Sequence, residues 1–491
     1  MALEPHLLGL ALGFAAWEAI DAQVRPRRRV FGGGAALAAR AAVFLLLALA
    51  WLGLSGRFWF SLAATLVTLA ILVVISNLKQ RSLYEPLVFS DFAFLEPLLR
   101  HPSLFYIERR DALLLAAGVA TLAAAITMWT AVEPAMLSLP GRAALVGGEA
   151  LVLGGLVAAC GRGLAWPRAL TFADPADARA GVHRFGLSAT LPTAWLRWRS
   201  ERSSPLPAVP APAAAPGIDA VVVIQSESFM DLRRVGVATD LPEFDRLGGR
   251  ALARGLLAVP CFGAYTLRPE VSVITGLGRT QQSFDGFHPY LRPGRFAPAS
   301  LPAQLRKQGW RTVFLHPYDE RFFRRNVAIP TLGFETFIGR RDLAAAERCG
   351  PYISDAALAA EIEREVGRAR ADGVPLFLVC VTMEAHDPYG PGRLPGEDDP
   401  QRQYLHHMAH ADTMLARLTA HLDAGVDQAL LAFYGDHAPV LPAVDPIRER
   451  RTDFVILECG RQAARQDQAP CPVEWGPERI NAFIRDWIGR A

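Results

Sequence analysis

The hydrophobic pattern of the chain changes once, near residue 160. Before that point apolar residues run on for lengths near the ~20 needed to cross the hydrocarbon core of a bilayer. Four such runs, at about Ala35–Leu54, Phe58–Ile75, Ala112–Val132 and Ala143–Cys160, predict spanning helices. A fifth, Leu7–Ile20, is shorter and carries Glu18. Its arginines follow the apolar run instead of preceding it, which favours a fifth span over a cleaved signal peptide. The stretch "SNLKQRSLYEPLVFSDFAFLEPLLRHPSLFYI" mixes apolar and charged residues too thoroughly to span, and predicts an interfacial segment near 78–110.

After the spans, "RSSPLPAVPAPAAAPG" reads as an extended, semi-rigid linker. The expected layout is a transmembrane domain over 1–165, a juxtamembrane segment and linker over 166–217, and a second domain over 218–491. In that domain short apolar runs alternate with amphipathic stretches. Ala220–Gln225, Thr312–Leu315, Leu376–Thr382, Ala429–Tyr434 and Phe454–Leu457 predict strands, while Leu301–Gln308, Ser354–Ala371 and Leu405–Leu422 predict helices. Such alternation predicts an α/β domain with a largely parallel sheet. Ligands of such sheets sit beyond the carboxyl ends of the strands.

Four of the strands end on chemistry. The first delivers Glu227, the second His316 and Asp319, the third Glu384, His386 and Asp387, and the fourth Asp436 and His437. Carboxylates and an imidazole together suit Mn²⁺, Mg²⁺ or Zn²⁺. Thr266, in "CFGAYTLRPEVSVITG", stands after a glycine-bearing loop and before an apolar stretch, where a hydroxyl at a helix N-terminus is a candidate nucleophile. His406, His407 and His410 also sit at helical spacing, but on an amphipathic helix, where packed or solvated imidazoles take precedence over ligands.

Bulk properties narrow the partners. A formal net charge of +3, without a basic stripe, gives no footprint for nucleic acid. Six cysteines show no CxxC spacing, and leave room for one or two disulfides if the second domain is exported.

Six motifs, in order, carry a resemblance: "SESF" at 226–229, "YTLRPEVSVITG" at 265–276, "HPYDERFFRRN" at 316–326, "LGFETF" at 332–337, "AHDPYGP" at 385–391 and "YGDHAP" at 434–439. Together with "NLKQ…EPLVFSD" at 77–91, the chain resembles the lipoteichoic acid synthase and phosphoglycerol transferase branch of the sulfatase/alkaline phosphatase superfamily. The resemblance implies a sulfatase-like α/β/α domain behind a bundle of about five transmembrane helices. It also implies one divalent cation, Mn²⁺ first with Mg²⁺ or Zn²⁺ as alternatives, held by Glu227, Thr266, Asp436 and His437, with Thr266 the nucleophile. Arg325, His386 and His316 match substrate-binding positions. Phe323 stands where the family's synthases carry tryptophan, which leaves the headgroup preference open, and Glu270 matches an acidic position of undefined role.

The implied reaction moves a glycerophosphoryl group from phosphatidylglycerol to a glycan or glycerol-phosphate acceptor through a covalent threonine. Phosphoethanolamine transfer and phosphodiester or sulfate-ester hydrolysis are the alternatives. A formylglycine sulfatase is disfavoured, since "CFGAY" lacks the required Cys/Ser-x-Pro-x-Arg context. The family places its catalytic domain outside the bacterial cytoplasmic membrane. The basic run Arg25–Arg29 favours the opposite orientation, and the resemblance is given precedence.

Overall fold

The computed structural model describes residues 4–29, 33–96, 109–161, 174, 177–444, 449–463 and 470–490. It divides into two compact units, Met1–Ser204 and Pro205–Ala491. The 97–108 part of the expected interfacial segment, and residues 162–173, lie outside the described residues.

The first unit is helical. Gly34–Ser55, Phe58–Leu83 and Leu139–Cys160 are long and apolar enough to cross a membrane. The expected span at Ala112–Val132 lies in the helix Arg109–Val132, of which Ala123–Val132 is an apolar stretch. The expected span at Leu7–Ile20 falls in the helix Glu4–Asp21, which carries Glu4, Glu18 and Asp21. Residues 77–83 continue the helix begun at Phe58 instead of opening a separate segment.

Small residues let these helices approach closely. A Cβ at Gly13 would stand 2.4 Å from Leu62. Among the described residues, charge is buried here in pairs. Arg40, fully buried, reaches Glu18 at 2.7 Å, while Arg28 meets Glu18 at 2.9 Å and Asp21 at 3.3 Å. Part of the charge of the Arg25–Arg29 run is therefore neutralised within the unit, which weakens its use as an orientation signal.

The second unit is built on one eight-stranded sheet: β1 (Ala220–Ser226), β2 (Ala253–Ala258), β3 (Arg311–Leu315), β4 (Thr336–Ile338), β7 (Leu376–Val381), β8 (Ala429–Gly435), β9 (Arg451–Cys459) and β10 (Val473–Trp475). Two two-residue strands, β5 (Arg348–Cys349) and β6 (Tyr352–Ile353), form a separate antiparallel hairpin. Spatial order in the large sheet is β10-β2-β9-β8-β1-β7-β3-β4. The block β8-β1-β7-β3-β4 is parallel throughout. β9 runs antiparallel to both β8 and β2, so one flank of the expected parallel sheet is mixed.

β1 is the keystone. Every residue of Ala220–Ser226 is buried, as expected of a central strand covered on both faces. Its register pairs Gln225 with Val381 and Tyr434, and Ser226 with Gly435, so the carboxyl ends of β7, β1 and β8 come level. Helices flank the sheet, among them Asp355–Asp372, whose N-cap Ser354 accepts from the amide of Ala357 at 3.1 Å.

Candidate active site

The loops leaving β8, β1, β7 and β3 are spatial neighbours because the strands are, so Asp436, Glu227, Glu384 and His316 emerge along one edge of the sheet. Glycine permits the first of these. A Cβ on Gly435 would lie 2.0 Å from the carbonyl oxygen of Phe229, so only glycine lets β8 end this close to the loop after β1. Directly beyond it, Glu227, Asp436 and His437 each offer one ligand atom, all within 4.8 Å of one another. His437 Nε2 lies 3.3 Å from Glu227 Oε1 and 3.4 Å from Asp436 Oδ2.

Hydrogen bonds aim these side chains. Asp436 Oδ1 accepts from the amides of Ser228 at 2.8 Å and His437 at 2.9 Å. Glu227 Oε1 accepts from Ser228 Oγ at 3.0 Å, and the Glu227 amide donates to Thr382 Oγ1 at 3.0 Å. The carbonyl of Ala438, 3.2 Å from His437 Nδ1, accepts the ring proton there and leaves the Nε2 lone pair toward the two carboxylates.

Two oxygens are left over: Glu227 Oε2 and Asp436 Oδ2 are buried without a hydrogen-bond partner. Bare buried carboxylate oxygens are costly. Burial first, and then Asp436, push the Glu227 carboxyl up to about 8, against the opposing pull of His437. Burial alone would lower His437, but Asp436, Glu227 and Asp387 outweigh it and raise that imidazole. Two acids, unspent oxygens and a ring nitrogen whose proton a cation would displace fit a divalent ion.

Thr266 occupies the N-cap position of the helix Leu267–Thr275. Its carbonyl accepts from Gln225 Nε2 at 3.2 Å, which ties the start of that helix to the end of β1. Cys261 Sγ lies 3.8 Å from both the Tyr265 and the Asp436 carbonyls, joining the same loop to the end of β8.

A second group surrounds Arg325, which is 1% exposed. Its guanidinium donates to Glu270 through NH2 at 2.6 Å and Nε at 3.4 Å. NH1 donates to His316 Nε2 at 3.1 Å, and His316 Nδ1 donates to the Val381 carbonyl at 3.1 Å. Those roles require a neutral ring, and burial together with Arg325 holds His316 well below its ordinary value. Burial works against the Arg325 charge, yet Glu270 outweighs it and raises the guanidinium. Tyr290 donates its hydroxyl to Glu270 Oε1. Glu270, whose role the sequence leaves open, is thus the buried counter-ion of Arg325. Phe323 is half-buried, with the guanidinium carbon of Arg325 5.2 Å from its ring centroid. His386 Nδ1 faces the Asp387 carbonyl at 2.6 Å and the Tyr352 hydroxyl at 3.4 Å.

Backbone strain marks the same positions. Six non-glycine residues have positive φ among the described residues, and Ser228, Tyr265, Phe323 and Arg324 are four of them. Each lies within two residues of Glu227, Thr266 or Arg325. Strained backbone of this kind persists where the surroundings over-determine it.

Sequence reasoning assigned no role in the site to two participants. Asp387, buried beside His386, acts electrostatically on Glu227 and His437; it was visible as a strand-end acid. Ser228 was visible only as the polar neighbour of Glu227. A separate group of Cys349, Glu384, His407 and His410 also converges, and no spacing joins Cys349 to the others. None of the six cysteines is paired, so the room the sequence leaves for disulfides is not used.

The family described as Sulfatase matches residues 219–473. The capsular polysaccharide biosynthesis protein RkpI of Rhizobium meliloti is 31% identical over 454 residues, covering 87% of this chain and 82% of that protein. A putative cyclic beta-1,2-glucan modification protein of the same organism is 28% identical over 259 residues, covering 49% of this chain and 39% of its own length. Among solved structures, the Streptococcus pyogenes phosphoglycerol transferase GacH, in complex with sn-glycerol-1-phosphate, aligns with a TM-score of 0.44 at 19% identity, covering 56% of this chain and 76% of that one. With its matched domain spanning more than half its length, this chain belongs to the sulfatase family.

Proposed function

We propose that the protein is a membrane-bound phosphotransferase that moves a glycerophosphoryl group from phosphatidylglycerol to a glycan, through a covalent intermediate on Thr266. The observation that carries this reading is the Glu227–Asp436–His437 group with its two unpartnered buried carboxylate oxygens. A divalent ion held by these residues, with Thr266 completing the set, supplies charge stabilisation and an easier loss of the hydroxyl proton.

Thr266 Oγ1 attacks the phosphorus, and the bond to the diacylglycerol oxygen breaks. Arg325 has two of its five N–H groups left after Glu270 and His316. These hold phosphoryl oxygens whose charge grows in the transition state. His386, its Nδ1 committed to the Asp387 carbonyl, carries the proton from the hydroxyl to the departing oxygen through Nε2. In the second step an acceptor hydroxyl attacks the phosphothreonine diester and Thr266 recovers its proton. Phe323 forms the wall beside the headgroup.

A glycan acceptor is preferred to a polyglycerol-phosphate chain because the names of both curated relatives refer to polysaccharide or glucan. The catalytic unit then works on the outer face of the cytoplasmic membrane, where such glycans are finished. The test is incubation of the purified full-length protein with headgroup-labelled phosphatidylglycerol and Mn²⁺. Release of diacylglycerol with label on Thr266 is expected. Label from phosphatidylethanolamine instead, or diacylglycerol released with no label on Thr266, refutes the reading.

A further inference from the structure

Outside the site described above, three separate segments converge on one point. Cys349 comes from the β5–β6 hairpin, Glu384 from the loop after β7, and His407 and His410 from the helix Pro400–Gly425. Glu384 Oε1 lies 3.0 Å from His407 Nδ1 and 2.6 Å from His410 Nδ1. Cys349 Sγ lies 3.9 Å from His407 Nδ1 and 4.0 Å from His406 Nε2.

The two histidines nearest Glu384 are not equivalent. Arg393 Nε donates to His407 Nε2 at 3.1 Å, so a neutral His407 must carry its proton on Nδ1, where it donates to Glu384. His407 therefore holds the carboxylate and has no lone pair to offer. His410 has no such constraint, and its side chain is 41% exposed.

A further acid presses on the group. Asp355 is 1% exposed, its amide donates to Glu384 Oε2 at 2.7 Å, and its own Oδ1 is buried without a hydrogen-bond partner. Two buried acids thus stand beside a sulfur and imidazoles, with Arg393 bonded to His407 and the Glu384 carbonyl, and the group is open to solvent at His410.

We propose that this group is a second cation site, in which Cys349, Glu384 and His410 bind Zn²⁺ and His406 stands beside the sulfur as the fourth donor. Thiolate and imidazole donors select a softer ion than the oxygen-rich group at the ends of β1 and β8. Binding releases the Cys349 thiol proton to solvent, so affinity rises with pH. His407 is a positioning residue that orients Glu384. The bound ion ties the hairpin to the helix. Because Tyr352 of the same hairpin reaches His386, occupancy of this site positions a residue of the phosphoryl-transfer site.

The experiment uses the full-length Asp436→Asn protein in detergent, stripped with chelator, so that the first group is disabled. Addition of Co²⁺ should give one bound ion per chain with a thiolate-to-cobalt charge-transfer band. Cys349→Ser and His410→Ala on that background should abolish the band, and His407→Ala should weaken binding about 10- to 100-fold. Zinc-edge X-ray absorption on the Asp436→Asn protein, which needs no change at Cys349, should show a sulfur neighbour at about 2.3 Å. No bound ion, or an ion with only oxygen and nitrogen neighbours, overturns the proposal. The readout is independent of any lipid donor, so failure of the phosphotransferase reading leaves it standing.

Discussion

The two candidate ion-binding groups are built on the same distance scale, since in each the donor atoms lie within 4.8 Å of one another. They differ in what their acids have to do. At the ends of β1 and β8, Glu227 and Asp436 each keep a buried oxygen with no partner. After β7, Glu384 has both oxygens occupied, by two imidazoles and the Asp355 amide. The first arrangement is costly until a cation arrives, so on the proposed reading its ion would be integral to the folded protein. The second is satisfied by its own protons, so a cation must displace them, and occupancy follows supply and pH. Variants can separate an obligatory centre from a facultative one.

The largest effect belongs to Thr266→Ala. Turnover should fall on the order of 10⁴-fold or more, the scale for loss of a nucleophile, beyond what any loss of bound metal in elemental analysis accounts for. Asp436→Asn comes next, costing turnover roughly 10²- to 10³-fold. It should also raise the melting temperature of the metal-free protein above about pH 8, where Glu227 is ionised and faces the Asp436 charge. If the variant instead melts lower without metal, the contrast between the two groups fails.

Glu270→Gln tests the neighbouring arginine. It leaves Arg325 buried beside a neutral amide, free to turn from its present geometry. We expect kcat/KM to fall about 10- to 100-fold, the worth of a charged hydrogen bond, with KM for the lipid donor rising. An unchanged KM with lowered kcat would show that Glu270 acts elsewhere.

The pH dependence of the metal-free protein has a definite sign. Glu227 is raised in the folded state from its ordinary 4.5 to about 8. Its contribution to stability is complete below about pH 4.5 and lost as pH rises through about 8. Chemical denaturation of the chelated protein should therefore show falling stability across that window. Glu227→Gln should flatten the fall, as should saturating Mn²⁺. The same slope in wild type and variant would remove Glu227 as its source.

The contrast between the groups was half legible in the sequence. Glu227, Asp436 and His437 could be found because each follows an apolar run, and a parallel sheet aligns the ends of such runs. The five expected strands were found within one residue, except at β9, where Arg451–Cys459 extends beyond the expected Phe454–Leu457, while β4 and β10, three residues each, were not expected. β2 was missed because "ARGLLA" has neither alternation nor a fully apolar run, and with it the antiparallel flank. Glu270 gave no chemical signal, since its partner Arg325 lies 55 residues away on another helix. Cys349 was illegible for the same reason. A two-residue strand brings it to a helix 58 residues later at His407, and no periodicity encodes that approach. Arg40 shows the converse. The arginine-rich loop suggested a topology, but the structure pairs Arg28 and Arg40 with Glu18 and Asp21, so a count of positive residues overstated the signal.

The smallest effect is the sharpest test of the facultative group. Cys349→Ser keeps nearly the same volume, and Glu384 retains its hydrogen bonds from His407, His410 and Asp355. Turnover without added zinc should therefore stay within about 2-fold of wild type. Zinc should then distinguish the proteins. At free Zn²⁺ 100-fold above Kd, a site present only in the folded state adds about 2.7 kcal/mol of stability. Wild type should gain about that much more than Cys349→Ser in denaturant titrations with Zn²⁺, while Mn²⁺ stabilises both equally through Glu227 and Asp436. Equal gains from Zn²⁺ in the two proteins would mean that zinc binds only between β1 and β8, and the distinction between the groups would collapse.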